Sequence, residues 1–191
     1  MNEQDTDMEQ AEPAGRVLVI AGSDSGGGAG IQADIKAISA MGGYAATAIT
    51  AITVQNTLGV SAIHPVPDAI VEGQIRAVLD DIGADVVKTG MLATVEIVEI
   101  VAAALEAADP ALPLVLDPVM VATSGDRLVD EGTETAIRER LVPLAALVTP
   151  NAAEAARLTG QPVEDVQGQL AAAGALVAMG AKAALVKGGH L

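Results

Sequence analysis

Cysteine, phenylalanine and tryptophan are absent from the 191 residues, and tyrosine occurs once, at Tyr44. Without cysteine there can be no disulfide and no thiolate metal centre. Without an aromatic surface, binding of single-stranded nucleic acid by base stacking is excluded. Basic residues are scarce too: 10 Lys and Arg stand against 25 Asp and Glu, a formal charge of −15. Such a field repels phosphate backbones and anionic membranes, so nucleic-acid binding is not expected. An anionic ligand must instead be met by local devices: helix N-termini, single lysines or a bound cation. The apolar stretches are broken by charge or glycine well short of membrane-spanning length. The N-terminus is acidic and unlike a signal peptide, so a cytoplasmic protein is expected.

Half of the chain is hydrophobic, almost all of it Ala, Val, Ile and Leu. Small aliphatics suit closely packed layers of helix on sheet. Residues 1–15, with five acids and a Pro13 to Gly15 ending, read as a disordered acidic tail. Residues 16–191 read as one domain. Continuous apolar runs predict strands at 16–21, 45–54, 85–88, 114–116, 145–148 and 183–186. Helical periodicity lies between them. Ile31, Ile35 and Ile38 mark one stripe, and Ile70, Ile75, Val78 and Leu79 a second. A third begins at Thr94, a fourth covers 133–141 and a fifth opens at Asn151. The sixth carries Val166, Leu170, Leu176, Val177 and Met179. This alternation predicts an α/β layered domain with a mostly parallel central sheet and helices on both faces.

Ligands of an open parallel sheet bind beyond the carboxyl ends of its strands. Polar or glycine-rich residues follow every predicted strand there: Gly22–Gly30, Gln55–Asn56, Thr89–Met91, Asp117–Pro118, Thr149–Asn151 and Gly188–His190. Six on one edge imply a site. The first loop has neither dinucleotide-binding nor P-loop glycine spacing, so as a phosphate loop it is weak evidence, and a flexible turn explains it as well. The missing register also disfavours a dinucleotide oxidoreductase. Asp34 shares the apolar stripe of its helix and must find a partner or a ligand, because an unpaired buried carboxylate is costly. Asp117 at a strand end suits Mg²⁺ or its water shell. Asn151 and Glu154 have the spacing of a capping box, which does not preclude a role near a cation. Lys187 is the first candidate for a phosphate contact, and Lys88 the next. Asp126 and Arg127 read as turn residues, and His64 and His190 as surface or structural.

The blocks GSDSGGGAGIQADIK, TAITVQNT, KTGML, DPVMVATSGD, TPNAAEAARLTG and VKGGHL, in this order and spacing, resemble hydroxymethylpyrimidine/phosphomethylpyrimidine kinases of thiamine biosynthesis. The match runs from Arg16 to Leu191. The resemblance implies a ribokinase-like fold, ATP and Mg²⁺ as cofactors, and phosphorylation of 4-amino-5-hydroxymethyl-2-methylpyrimidine and then of its monophosphate. Matched motif to motif, Gln55 would pair with the aminopyrimidine edge and Asp34 would reach the pyrimidine or its hydroxyl. Gly22, Ala29, Met91 and Val119 would line the pocket. Asp117 and Glu154 would organise Mg²⁺ through water, Asn151 would support them, and Lys187 would neutralise ATP phosphates. Family analogy also implies a homodimer. Members of the family continue past KGGHL to a glycine-rich GTGC-like segment carrying the general base, which these residues lack. The expectation is therefore a C-terminally truncated chain with little activity of its own and its catalytic base unknown. A pyridoxal-type kinase and a non-catalytic pyrimidine-binding protein are the alternatives.

Overall fold

The computed structural model describes residues 12–108, 111–121 and 128–188. The expected turn at Asp126 and Arg127, His190, and most of the acidic tail lie outside them. The chain runs β1 (Arg16–Asp24), α1 (Gly30–Ala40), β2 (Tyr44–Asn56), β3 (Gly59–Pro65), α2 (Asp68–Ala77), β4 (Val86–Thr89) and α3 (Val95–Ala107). It continues with β5 (Leu114–Leu116), α4 (Glu131–Ala136), β6 (Ala145–Val148), α5 (Ala152–Thr159) and α6 (Val166–Ala178). The six-stranded sheet has the order β3-β2-β1-β4-β5-β6. All neighbours are parallel except β2 with β3. Successive strands leave β1 first to one side and then to the other, so the topology reverses between β1 and β4. That is where an α/β sheet opens a crevice.

Alternation along β1 builds both faces. Leu18 and Ile20 enter the larger core with Ile75 of α2 and with Ile97, Val98 and Val101 of α3. Val19 and Ala21 meet Ile31 of α1 on the opposite face. Each fully buried Leu or Ile contributes about 1.5–3 kcal/mol by leaving water. The helices start where local chemistry satisfies their free N–H groups. The Thr94 hydroxyl accepts from Ile97 N, and the Asp130 carboxylate accepts from Thr133 N. Asn151 and Glu154 form a complete capping box, and Gly160 ends α5 in the left-handed conformation.

Three expectations need correction. Strand β3 was not foreseen; it is an antiparallel edge whose register is set by β2. The run 183–186 is not a regular strand but touches the sheet through single parallel bridges, Val148 with Ala184 and Asn151 with Lys187. Helix α6 buries Ala172 and Leu176, whereas Val166, Leu170 and Val177 of its expected stripe are exposed. Helices α2 and α4 both widen into π-turns, at Val78–Ile82 and Ile137–Leu141. Among the described residues no helix is long and apolar enough to cross a membrane.

Candidate active site

The loop after β1 is built around one carboxylate. Asp24, nearly buried, accepts from Gly26 N at 2.7 Å through Oδ1, and from Gly28 N at 2.9 Å and Ala29 N at 2.8 Å through Oδ2. Gln32 of α1 accepts from Asp24 N and donates to Ser23 Oγ, and Lys36 Nζ donates to Gly27 O. Three N–H groups of this glycine-rich turn are therefore already taken. It is a pinned wall, neither a flexible turn nor an open phosphate cradle. Asp24 was missed in the sequence; an acid two residues before a glycine run is the signal that marked it.

Across the crevice, Ser25 Oγ donates to Gln55 O at 2.7 Å and accepts from Gln55 N at 2.9 Å. This two-point clamp ties the end of β2 to the loop at the bulge where the β2–β3 register shifts. Gly22 backs onto Met91, and the methyl of Met91 would have to shift to admit a Cβ on that glycine.

Charged groups alternate along the floor. Lys88 Nζ lies 2.7 Å from Asp34 Oδ2 and 4.0 Å from Asp117 Oδ2, and Lys187 Nζ lies 3.0 Å from Asp117 Oδ1. Asp34 has thus found its partner in Lys88, which stands between two acids and not on open phosphate-binding surface. Lys187 is held at the edge by its own N–H, which donates to Pro150 O at 2.8 Å.

Glu154 is 3 % exposed, and both its oxygens accept from backbone: Oε2 from Asn151 N at 2.8 Å and Oε1 from Met120 N at 3.4 Å. Burial pushes its carboxyl above the ordinary range. The Asn151 N–H and the charge of Lys187 pull it back, and the charge of Asp117 adds to the rise. Glu154 is therefore the more protected acid beside the accessible Asp117.

These groups share one cavity of about 690 Å³. Gly22, Ala29 and Asp34 line its α1 side, Gln55 and Met91 one wall, Val119 and Asp117 its middle, and Asn151, Glu154 and Lys187 the far end. The residues singled out for the site are thus brought together, while His64 stands apart, exposed on β3. A carboxamide, two lysines and several acids in a cavity of this size can read a small polar ring at one end and hold a polyanion at the other. Among the described residues, no three acids or histidines gather at metal-ligating distance. The donors fit a hard cation held mainly through water: Asp117 offers a carboxylate now matched by the Lys187 ammonium, and Glu154 is a second, buried acid behind it.

The family model described as phosphomethylpyrimidine kinase matches residues 24–191. A hydroxymethylpyrimidine/phosphomethylpyrimidine kinase of Mycobacterium bovis is 53% identical over 176 residues, covering 92% of this chain and 64% of that protein. The crystal structure of phosphomethylpyrimidine kinase from Clostridium difficile 630 superposes with a TM-score of 0.85 at 43% identity, covering 92% of this chain and 76% of that one. A pyridoxal kinase from Staphylococcus aureus in complex with ADP is similar at a TM-score of 0.82 and 38% identity, covering 91% of this chain and 63% of that one. Among the curated relatives it matches first, the chain spans between 36% and 64% of their length. With a sheet of the same fold and a family match over most of its length, the chain belongs to the phosphomethylpyrimidine kinase family.

Proposed function

We propose that this chain forms most of the site of an ATP-dependent kinase acting on 4-amino-5-hydroxymethyl-2-methylpyrimidine and on its monophosphate, in thiamine biosynthesis. The observation that carries the reading is the shared cavity of Gln55, Asp34, Asp117 and Lys187. Gln55 offers a donor and an acceptor to the aminopyrimidine edge. Asp34, fixed by Lys88, faces the hydroxymethyl group, and Gly22, Ala29, Met91 and Val119 enclose the ring. At the other end Lys187 and Asn151 meet the ATP phosphates, where Lys187 leaves Asp117 to do so. Asp117 and Glu154 would hold Mg²⁺ through water. When bound, that cation neutralises charge on the phosphates.

Transfer joins the acceptor oxygen to the γ-phosphorus and breaks the bond to the ADP oxygen, while the hydroxyl proton passes to a base. Positioning and charge stabilisation carry most of such a reaction. In the same reading residues 16–191 form the kinase domain. The proposal extends to a cytoplasmic homodimer. Ile52 and Val54, exposed on β2, lie on one side of the ribbon with their partners His64 and Ala62 and offer that face to a second copy.

Calorimetric titration tests the site. The chain should bind the hydroxymethylpyrimidine saturably. Gln55→Ala should weaken binding by more than about 1 kcal/mol, the loss of a buried hydrogen bond. Binding of pyridoxal in preference to the pyrimidine would transfer the assignment to a pyridoxal-type kinase, the second reading that the Staphylococcus aureus structure favours. Heat from neither ligand refutes both.

A further inference from the structure

The hydroxyl of Thr53 faces two oxygens at once. Its Oγ1 lies 3.0 Å from the carbonyl oxygen of Ser23 and 3.2 Å from the side-chain amide atom of Gln55 placed as Oε1. A hydroxyl has one proton, and a carbonyl oxygen can only accept. If the proton goes to Gln55, the Thr53 oxygen and the Ser23 carbonyl are left lone pair to lone pair, and no side-chain rotation relieves them. If it goes to Ser23, the conflict moves to Gln55. There a half-turn of the terminal torsion removes it by bringing Nε2 to Thr53. Thr53 is 5 % exposed, so its hydroxyl depends chiefly on these two oxygens for partners. The single arrangement without conflict has Gln55 Nε2 donating to Thr53 Oγ1 and Thr53 donating to Ser23 O.

We infer that Thr53 fixes which end of the Gln55 amide faces the cavity, and so makes the site select a ring carrying an amino group beside a ring nitrogen over its oxo counterpart. The inference deepens the pyrimidine reading and rests on it. With Nε2 held by Thr53, Oε1 turns to the cavity and demands a donor from the ligand. An exocyclic amino group supplies one. An oxo group at the same ring position presents another lone pair and is repelled. The backbone of Gln55 cannot shift to compensate, because Ser25 Oγ grips both its N–H and its carbonyl. Thr53 therefore acts as a positioning residue through Gln55.

Two measurements on the full chain test this. The first compares dissociation constants, by calorimetry, for 4-amino-5-hydroxymethyl-2-methylpyrimidine and its 4-oxo analogue. The unchanged chain should prefer the amino compound by about tenfold or more, the scale set by one unpaired polar contact in a closed site. Thr53→Val keeps shape and removes the hydroxyl; it frees the amide to turn, and the preference should shrink to about threefold or less. Thr53→Ser restores the hydroxyl and should restore the preference. A preference in Thr53→Val equal to that of the unchanged chain overturns the inference, as does a preference of the unchanged chain for the oxo compound. The second measurement needs no ligand. Nuclear Overhauser contacts between the Gln55 Hε2 protons and the Thr53 Hβ and methyl should appear in the ligand-free chain, and their absence overturns the amide assignment. If the unchanged chain binds neither pyrimidine, the selectivity falls with the kinase reading, and these contacts still decide the Thr53–Gln55 orientation by themselves.

Discussion

Gly30 packs its α-carbon directly against the carbonyl of Gly22, with φ at +55°, so that the first residue of α1 closes back on the last turn of β1. A Cβ there would overlap the Gly22 carbonyl, which is backbone and cannot rotate away. The left-handed φ adds its own penalty for any other residue.

Gly30→Ala should therefore destabilise the fold by about 2–4 kcal/mol through overpacking and backbone strain together. Gly42→Ala, also at positive φ but with open space around it, should cost only about 1 kcal/mol. Urea denaturation of the two variants checks the contrast; equal losses would mean that the close approach to Gly22 carries no weight.

Lys88 and Asp34 are each about one-fifth exposed, so their pairing is stronger than a surface ion pair. Lys88→Met leaves Asp34 without its ammonium and should cost about 1–3 kcal/mol. Asp34→Asn in the Lys88→Met background should recover part of that loss. A double-mutant cycle measures the coupling, expected at about 1 kcal/mol or more. Additive effects would show that the two side chains merely lie close.

Two carboxyls respond to pH with opposite sign. Asp85 is held below its ordinary range by the Arg16 guanidinium, which donates to Oδ1 at 2.9 Å, and by Arg16 N, which donates to Oδ2 at 2.7 Å. Its folded value lies below its unfolded one, so its contribution is present above the unfolded value and is lost as pH falls through the folded value. The stability gap between the unchanged chain and Asp85→Asn should close as the solution is acidified below about pH 4. Glu154 lies above its ordinary range, chiefly by burial. Its folded form retains the proton longer, so stability falls as pH rises from the unfolded value through the folded one. Glu154→Gln keeps an acceptor for Asn151 N and should gain on the unchanged chain over that rise. Denaturation midpoints from about pH 2 to about pH 7 test both; parallel curves for all three proteins would contradict the assignments.

Lys187 spans Asp117 and the cavity mouth, and its side chain is nearly half exposed. Lys187→Met should weaken ATP binding by about tenfold, the usual scale for one charge-assisted phosphate contact, and leave pyrimidine affinity within about twofold. Titrations of each ligand separate the two; an equal loss for both would move Lys187 from the nucleotide end to the ring end.

Much of this architecture was legible in the amino-acid order because strands buried on both faces need unbroken apolar runs, and β5 and β6 begin and end where those runs do. Strand β3 was not, since Gly59–Pro65 carries no buried residue and owes its conformation to pairing with β2. In the site, Gln55, Asp117 and Lys187 were conspicuous as polar residues at the ends of apolar strands. Asp24 and Thr53 were not. One passes for a turn acid and the other for strand filler, until the N–H groups and carbonyl they serve are located in space. The outward face of α6 was misread for a related reason, as periodicity reports which residues are apolar and not how many of them the neighbouring elements reach.

The row Asp34, Lys88, Asp117, Lys187 bears on how an acidic protein takes up a polyanion. Because each ammonium already has a carboxylate, a triphosphate bound as proposed would displace an internal partner and gain no bare positive patch, so its entry would work as ion exchange. Asp117, once displaced, would then be free for a cation. The number of opposite-charge pairs is nearly conserved across the step, so uptake should depend far less on ionic strength than it does at an open basic cleft.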